Sequence, residues 1–307
     1  MRKLFLLFIS ILAFHFLSAQ DEAIFMQYHI SPVLINPAAA GFDDSHNLHL
    51  NLRAQWTGFP DAPKTYTAYY NGPIGKSFGL GVGLLSETAA QLTRLKAQLN
   101  FAFKFNIQET AKLSAGFFTE FQQMTVDNAI TGGEFFDPAD DLLTEILDGK
   151  SIFDAALGVR GTIKENTYFG ITFNNLVRSR LDDIAGTTSS GNRGFFSYYT
   201  FNLGHTFELY EYNVKLEPSI LIRQIRDVPF QMDFNLKASF LKDQLIAGVS
   251  YRSLSAMGIL LGTKLSAFRL YYSYDLSFQH FQKFNTGSHE VTVAFKFEKK
   301  EKDLKKF

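Results

Sequence analysis

Asn47-Leu48-His49-Leu50-Asn51-Leu52-Arg53-Ala54-Gln55-Trp56 is the stretch whose reading decides the fold. Leu48, Leu50, Leu52, Ala54 and Trp56 share one parity, and Asn47, His49, Asn51, Arg53 and Gln55 share the other. A period of two is the signature of a strand with one apolar and one polar face. The pattern returns in Ala97, Leu99, Phe101, Phe103 and Phe105 against Gln98, Asn100 and Lys104. Followed through the chain it predicts about fourteen strands, at 46–56, 64–72, 77–86, 91–105, 111–127, 152–163, 166–175, 196–207, 213–225, 230–241, 243–252, 255–265, 267–279 and 288–298. A soluble β-sandwich also alternates. Runs of ten or more residues, however, suit a tilted bilayer crossing of about 9–11 residues better than the usual soluble strand of about 5–6. The expected fold is all-β, a transmembrane antiparallel β-barrel whose apolar face meets outer-membrane lipid.

Composition fits that reading. The 307 residues include 33 Phe, 13 Tyr and 1 Trp, so 15% are aromatic, yet hydrophobic residues total only 46%. Aromatics on one strand parity and polar residues on the other give that balance. Thirty basic against 30 acidic residues leave no net charge, which removes the electrostatic footprint of a nucleic-acid binder. The absence of cysteine excludes a disulfide framework, a thiolate metal site, a catalytic thiol and a lipidated N terminus. Arg2 and Lys3, the apolar run Leu4 to Leu17, and Leu17-Ser18-Ala19 before Gln20 read as a signal peptide over residues 1–19.

Connection lengths orient the barrel, because such barrels have short periplasmic turns and longer external loops. With the N terminus in the periplasm, connections after odd-numbered strands are external. The longest, 128–151 and 176–195, fall there, as does Phe281 to Gly287 before the last strand; even-numbered connections such as Lys164-Glu165 and Lys242-Asp243 are short. Residues 20–45, broken by Ser31-Pro32 and Asn36-Pro37, read as a periplasmic N-terminal segment and possible plug. Residues 46–298 read as the barrel and 299–307 as a basic periplasmic tail. The polar parity carries Arg53, Lys104, Glu120, Arg160, Lys215, Glu217, Arg223, Asp233, Lys237, Arg269, Asp275, Glu290 and Lys296, charges of both signs directed into the lumen. They either pair across strands or line a channel, and sequence leaves both open.

No constellation points to catalysis, a metal or a cofactor. Ser288, His289 and Glu290 are consecutive, so on a strand their side chains alternate faces and form no triad. The histidines are scattered, and His46 and His49 differ in parity. Asp137-Pro138-Ala139-Asp140-Asp141 lacks the spaced ligands of a calcium loop and reads as a solvated acidic loop. Gly79, Gly81 and Gly83 lie inside a strand pattern without the following helix of a dinucleotide fingerprint. They read as a glycine stripe that permits close approach of a plug or a bend of the wall.

Several blocks carry a family resemblance. They are Gln27-Tyr28, Asn36-Pro37-Ala38-Ala39-Ala40-Gly41, Arg53-Ala54-Gln55-Trp56-Thr57-Gly58 and Ala62-Pro63-Lys64-Thr65 in the first part of the chain. Leu216-Glu217-Pro218-Ser219, Asp233-Phe234-Asn235, Gly248-Val249-Ser250-Tyr251-Arg252, Tyr272-Ser273-Tyr274-Asp275 and Asn285-Thr286-Gly287-Ser288-His289-Glu290 follow in order. Together they resemble the PorP/SprF family of type IX secretion outer-membrane proteins. The resemblance implies a non-enzymatic barrel that works with other type IX components and serves a secreted surface protein bearing a C-terminal sorting domain, in several members a gliding adhesin. A channel or transporter for small or hydrophobic solutes is the alternative, since a barrel of about fourteen strands is wide enough for a lumen path. The stretch 128–195 matches no block and is where partner specificity is expected.

Overall fold

The computed structural model describes residues 25–108, 110–127, 147, 149–177, 198–224, 230–253, 256–278 and 285–298. The predicted signal peptide, the acidic loop at 137–141, most of both long loops and the basic tail lie outside them. Strands β1 (Ser45–Ala54), β2 (Lys64–Ile74), β3 (Phe78–Ala89), β4 (Leu92–Gln108), β5 (Ala111–Val126), β6 (Lys150–Ile163), β7 (Thr167–Phe173) and β8 (Tyr199–His205) are followed by the short β9 (Phe207–Leu209). Then come β10 (Val214–Gln224), β11 (Gln231–Phe240), β12 (Leu245–Arg252), β13 (Ala256–Leu265), β14 (Phe268–Ser277) and β15 (Ser288–Glu298). Every pairing is antiparallel between neighbours, and β1 closes the sheet on β15, with Leu52 opposite Val291.

Segments β8 and β9 are one barrel strand. Both pair with β10 in a single register, Gly204 facing Ser219 and Phe207 facing Leu216. Pro218 lies at the break and has no N–H to give to a ladder. The closed barrel therefore has fourteen strands.

Its burial is inverted relative to a soluble domain. The most deeply buried side chains include Gln27, Glu290, Asn36, Asn100 and Ser273, whereas Leu50, Leu52, Phe101, Phe117, Phe121 and Phe153 are exposed on the outer wall. Such a continuous apolar exterior belongs in hydrocarbon. Phe101 stacks on Phe117 across β4 and β5 with ring centroids 5.2 Å apart. Tyrosines divide: Tyr66, Tyr70 and Tyr251 face out, while Tyr28, Tyr69, Tyr198 and Tyr271 are buried inside. A phenol suits either environment, because its ring packs and its hydroxyl finds a partner.

The first strand ends earlier than the alternation suggests. It stops at Ala54, and Trp56 lies in the following turn at φ 50°. The Gln55 N–H still bonds the Pro63 carbonyl at 2.9 Å, in register with the β1–β2 ladder, and the chain leaves the sheet at the positive φ of Trp56.

Candidate functional site in the barrel lumen

The lumen is occupied by the chain itself. Residues 26–42 form three short 3-10 turns, at Gln27–His29, Pro32–Leu34 and Pro37–Ala39, and Met26, Tyr28, Val33, Ala38, Ala40 and Phe42 are buried there. Proline starts two of the turns, where a missing N–H has no cost. Asn36 caps the third. Its side-chain oxygen accepts the Ala38 N–H at 2.9 Å, and its amide donates to the Val159 carbonyl of the wall at 2.9 Å. The N-terminal segment thus traverses the barrel from the short-turn end, at Asp44, toward the long-loop end, at Met26.

At the long-loop end the contact is ionic. The Arg53 guanidinium bridges Asp275 at 2.9 Å and Glu290 at 3.0 Å, with all three side chains at most 4% exposed. Glu290 also accepts the Met26 N–H at 2.8 Å and the Asn51 amide at 2.9 Å. A second pair lies beside it, with Arg252 Nε 3.3 Å from Asp233, while the Asn235 amide donates to the Tyr28 hydroxyl at 2.6 Å. Strands β1, β14 and β15 bring Arg53, Asp275 and Glu290 together because each residue occupies an inward position near the long-loop end of its strand.

At the short-turn end the contact is steric. A Cβ on Gly79 would overlap the Ala40 carbonyl, and one on Gly116 would lie 2.6 Å from the Ala38 nitrogen. One on Gly158 would lie 2.9 Å from the Pro37 ring. Gly41 has φ 63° and its missing side chain would meet the Gly72 carbonyl at 2.7 Å. Of the glycine stripe expected in β3, Gly79 meets the luminal segment, whereas Gly83 lies under the Tyr69 ring.

The remaining motif residues form a clasp at the long-loop rim. Trp56 N–H donates to Ser288 Oγ at 3.1 Å, and Thr57 N–H to the Gly287 carbonyl at 2.8 Å. The Tyr274 hydroxyl reaches the Thr286 carbonyl at 2.9 Å. Two blocks from opposite ends of the chain therefore meet. Lys64 opens β2 in an exposed position, and His289 points outward to the Tyr272 hydroxyl at 2.8 Å. Ser288 and Glu290 face inward, so the consecutive trio is split by the wall.

Most predicted lumen charges have partners. Lys237 pairs with Glu217 at 2.7 Å, Lys96 with Glu120 at 3.1 Å, and Lys104 with Asp44 of the entering segment. Arg160 lies 5.3 Å from the ring centres of both Phe42 and Tyr168, a cation–π sandwich. Lys215 is near the short-turn rim beside Asp243 at 3.2 Å. Arg269 is an inward neighbour of Tyr271 on β14. Arg94, Lys96, Asp154 and Arg252 were missed as lumen groups, although their parity within the predicted strands placed them inside.

The family model for the type IX secretion system membrane protein PorP/SprF matches residues 17–295. The chain belongs to the PorP/SprF family. It is accordingly an outer-membrane component of type IX secretion, meeting membrane lipid and other parts of that system. No curated protein matches the chain. Among solved structures, the Ralstonia pickettii toluene transporter TbuX is similar over 87% of this chain and 93% of its own, at 8% identity and TM-score 0.51. The TodX deltaS2S3 mutant monoaromatic hydrocarbon channel is similar over 87% and 94%, at 10% identity and TM-score 0.51. A Pseudomonas aeruginosa FadL homologue covers 86% and 92%, at 10% identity and TM-score 0.50. At such identities the likeness is one of fold, the outer-membrane barrel.

Proposed function

We propose that this PorP/SprF protein supports export and surface retention of one partner protein carrying a C-terminal sorting domain, a gliding adhesin being one such partner. The observation that carries the reading is the occupied lumen. Residues 26–42 are tied to the wall at both ends, and most of the charges around them are paired, which suits a closed barrel better than an open conduit. The partner is then held outside, by the long loops at 128–151 and 176–195, and the protein has no catalytic role. Its motif residues serve the luminal segment, its ionic anchor and the rim clasp. Deletion should abolish surface display of a single sorting-domain protein while other type IX substrates continue to be secreted. Normal display and secretion of every such protein in the deletion strain would remove the proposal.

The competing reading, a channel for small or hydrophobic solutes, draws on the named activities of TbuX and TodX. Conductance in planar bilayers separates the two. The full chain should be silent and a variant lacking residues 20–44 should conduct; ion flow through the intact protein would favour the channel.

A further inference from the structure

Lys64 and His289, two residues of the family blocks, point away from the lumen and share one level of the outer wall. Ala54, the last residue of β1, faces His289 on one side and Lys64 on the other. Neighbouring strands lie about 4.8 Å apart, so the two side chains start about 10 Å from each other across a single methyl group. His289 is held in place: its Nδ1 meets the Tyr272 hydroxyl at 2.8 Å, and its ring lies 5.1 Å from that of Tyr274. With the hydroxyl donating to Nδ1, the ring proton sits on Nε2 and is free to be donated. Lys64 is, among the described residues, the only exposed Lys or Arg at the long-loop end. Strand ends and tyrosines mark this level as a water–lipid boundary, and the loop lengths make it that of the outer leaflet.

Below the row the wall is apolar and concave. Leu50, Leu52, Tyr66, Leu84, Leu95 and Val293 border a groove of about 470 Å³. Ala68, between Leu50 and Leu84, is the small side chain that leaves the depression. The upper edge of the groove, at Val291, Leu52 and Tyr66, is two residues from His289, Ala54 and Lys64, a step of about 7 Å along the strands. Hydrocarbon touches every part of such a wall; here, in addition, a hollow ends at a cation and an N–H donor.

We propose that this is a binding site for a phosphorylated acyl lipid of the outer leaflet, whose chain lies in the groove over Ala68 and whose phosphate is held between Lys64 and His289. Charge decides the occupant. An ammonium and an imidazole N–H make charge-assisted hydrogen bonds to phosphate oxygens, whereas a second copy of this face would bring cation against cation. The inference stands apart from the partner reading, since it uses only the outer wall.

Native mass spectrometry of the purified full chain in detergent, titrated with dioleoyl phosphatidic acid or dioleoyl phosphatidylcholine, tests the proposal. Phosphatidic acid should bind at least about tenfold more tightly than phosphatidylcholine, which has the same chains but a shielded phosphate. Lys64→Ala/His289→Ala should bring the two lipids to equal affinity, and Lys64→Arg should keep the preference. Ala68→Phe, which fills the groove and leaves the cation, should weaken phosphatidic acid binding about tenfold. Inorganic phosphate at the same concentration should not displace the lipid. The proposal is overturned if the unaltered protein binds both lipids equally, if the preference survives in the double variant, or if Ala68→Phe binds as before. Displacement by inorganic phosphate would overturn it in favour of a plain anion site, and a two-chain species lost in Ala68→Phe without any lipid preference would make the groove a contact between copies. The substituted side chains all face outward, and heat-dependent gel mobility reports barrel closure, so loss of binding is read on folded protein.

Discussion

The two ends of the luminal segment are held by opposite physics. Near Met26 the wall presents charge: Arg53, Asp275 and Glu290 form a buried triad that accepts a backbone N–H. Near Ala38 and Ala40 the wall presents absence, since Gly79, Gly116 and Gly158 let two backbones touch. An ionic anchor is sensitive to the loss of one partner and tolerant of modest shape change. A glycine anchor is indifferent to charge and intolerant of a single added carbon. The same segment is thereby fixed at two heights by contacts that fail for different reasons.

The largest effect should come from Arg53→Ala. It strands two carboxylates in a site with almost no solvent, and breaking a buried pair from one side costs about 3–5 kcal/mol. Urea unfolding in lipid vesicles, followed by the fluorescence of the only tryptophan, Trp56, reads the effect at the rim above the triad. Adding Asp275→Asn and Glu290→Gln should recover much of the loss. No recovery would mean that Arg53 acts through packing rather than charge.

Glycine substitutions come next. Gly158→Val and Gly79→Val insert carbon where the segment already touches the wall, and overpacking of this kind costs about 1–3 kcal/mol. They should also displace residues 36–44, so bilayer conductance should rise in these variants. It should not rise in an exterior control such as Val249→Leu. Glu290→Gln is milder still. Its amide oxygen keeps an acceptor for Met26 while Arg53 keeps Asp275, so a loss of about 1–2 kcal/mol is expected from the weakened charged hydrogen bonds. A thermal melt of purified protein checks it, and a cost as large as that of Arg53→Ala would contradict the assignment of Asp275 as the second counter-ion.

The wall was legible because a period of two survives any tertiary context. Leu48 to Trp56 announces β1, and its parity placed Arg53 inside and His46 away from His49 before any contact was known. The loop parity likewise followed from where the long connections fall. The interior assembly was not legible to the same depth. Nothing in Asn36-Pro37 states that its side chain will cap a turn and bond Val159 across the lumen, because those partners are separated by more than a hundred residues. Charge on one parity showed that Arg53, Asp275 and Glu290 share a lumen but not that they touch, since register across the closing seam of β1 and β15 is a property of the closed sheet. Trp56 misled for a related reason: alternation continues past Ala54, while the left-handed backbone of Trp56 turns the chain away just beyond the last ladder bond, between Gln55 and Pro63.

The smallest expected effect sharpens the comparison through salt. Lys112 lies 4.0 Å from Asp44 at the short-turn rim, with side chains 38% and 55% exposed. An exposed pair at that distance contributes about 0–1 kcal/mol, and in 1 M salt the Debye length falls to about 3 Å. Lys112→Ala should therefore change stability by under about 1 kcal/mol in 0.15 M salt and by nothing measurable in 1 M. The Arg53→Ala loss should persist at both, because ions do not enter a site where Glu290 has no exposed surface. Urea midpoints of the two variants at the two salt concentrations give a two-by-two test. If the Arg53→Ala loss also vanished in 1 M salt, the triad would be reached by solvent, and the contrast between a sealed ionic anchor and a dry steric one would collapse into two wet rims.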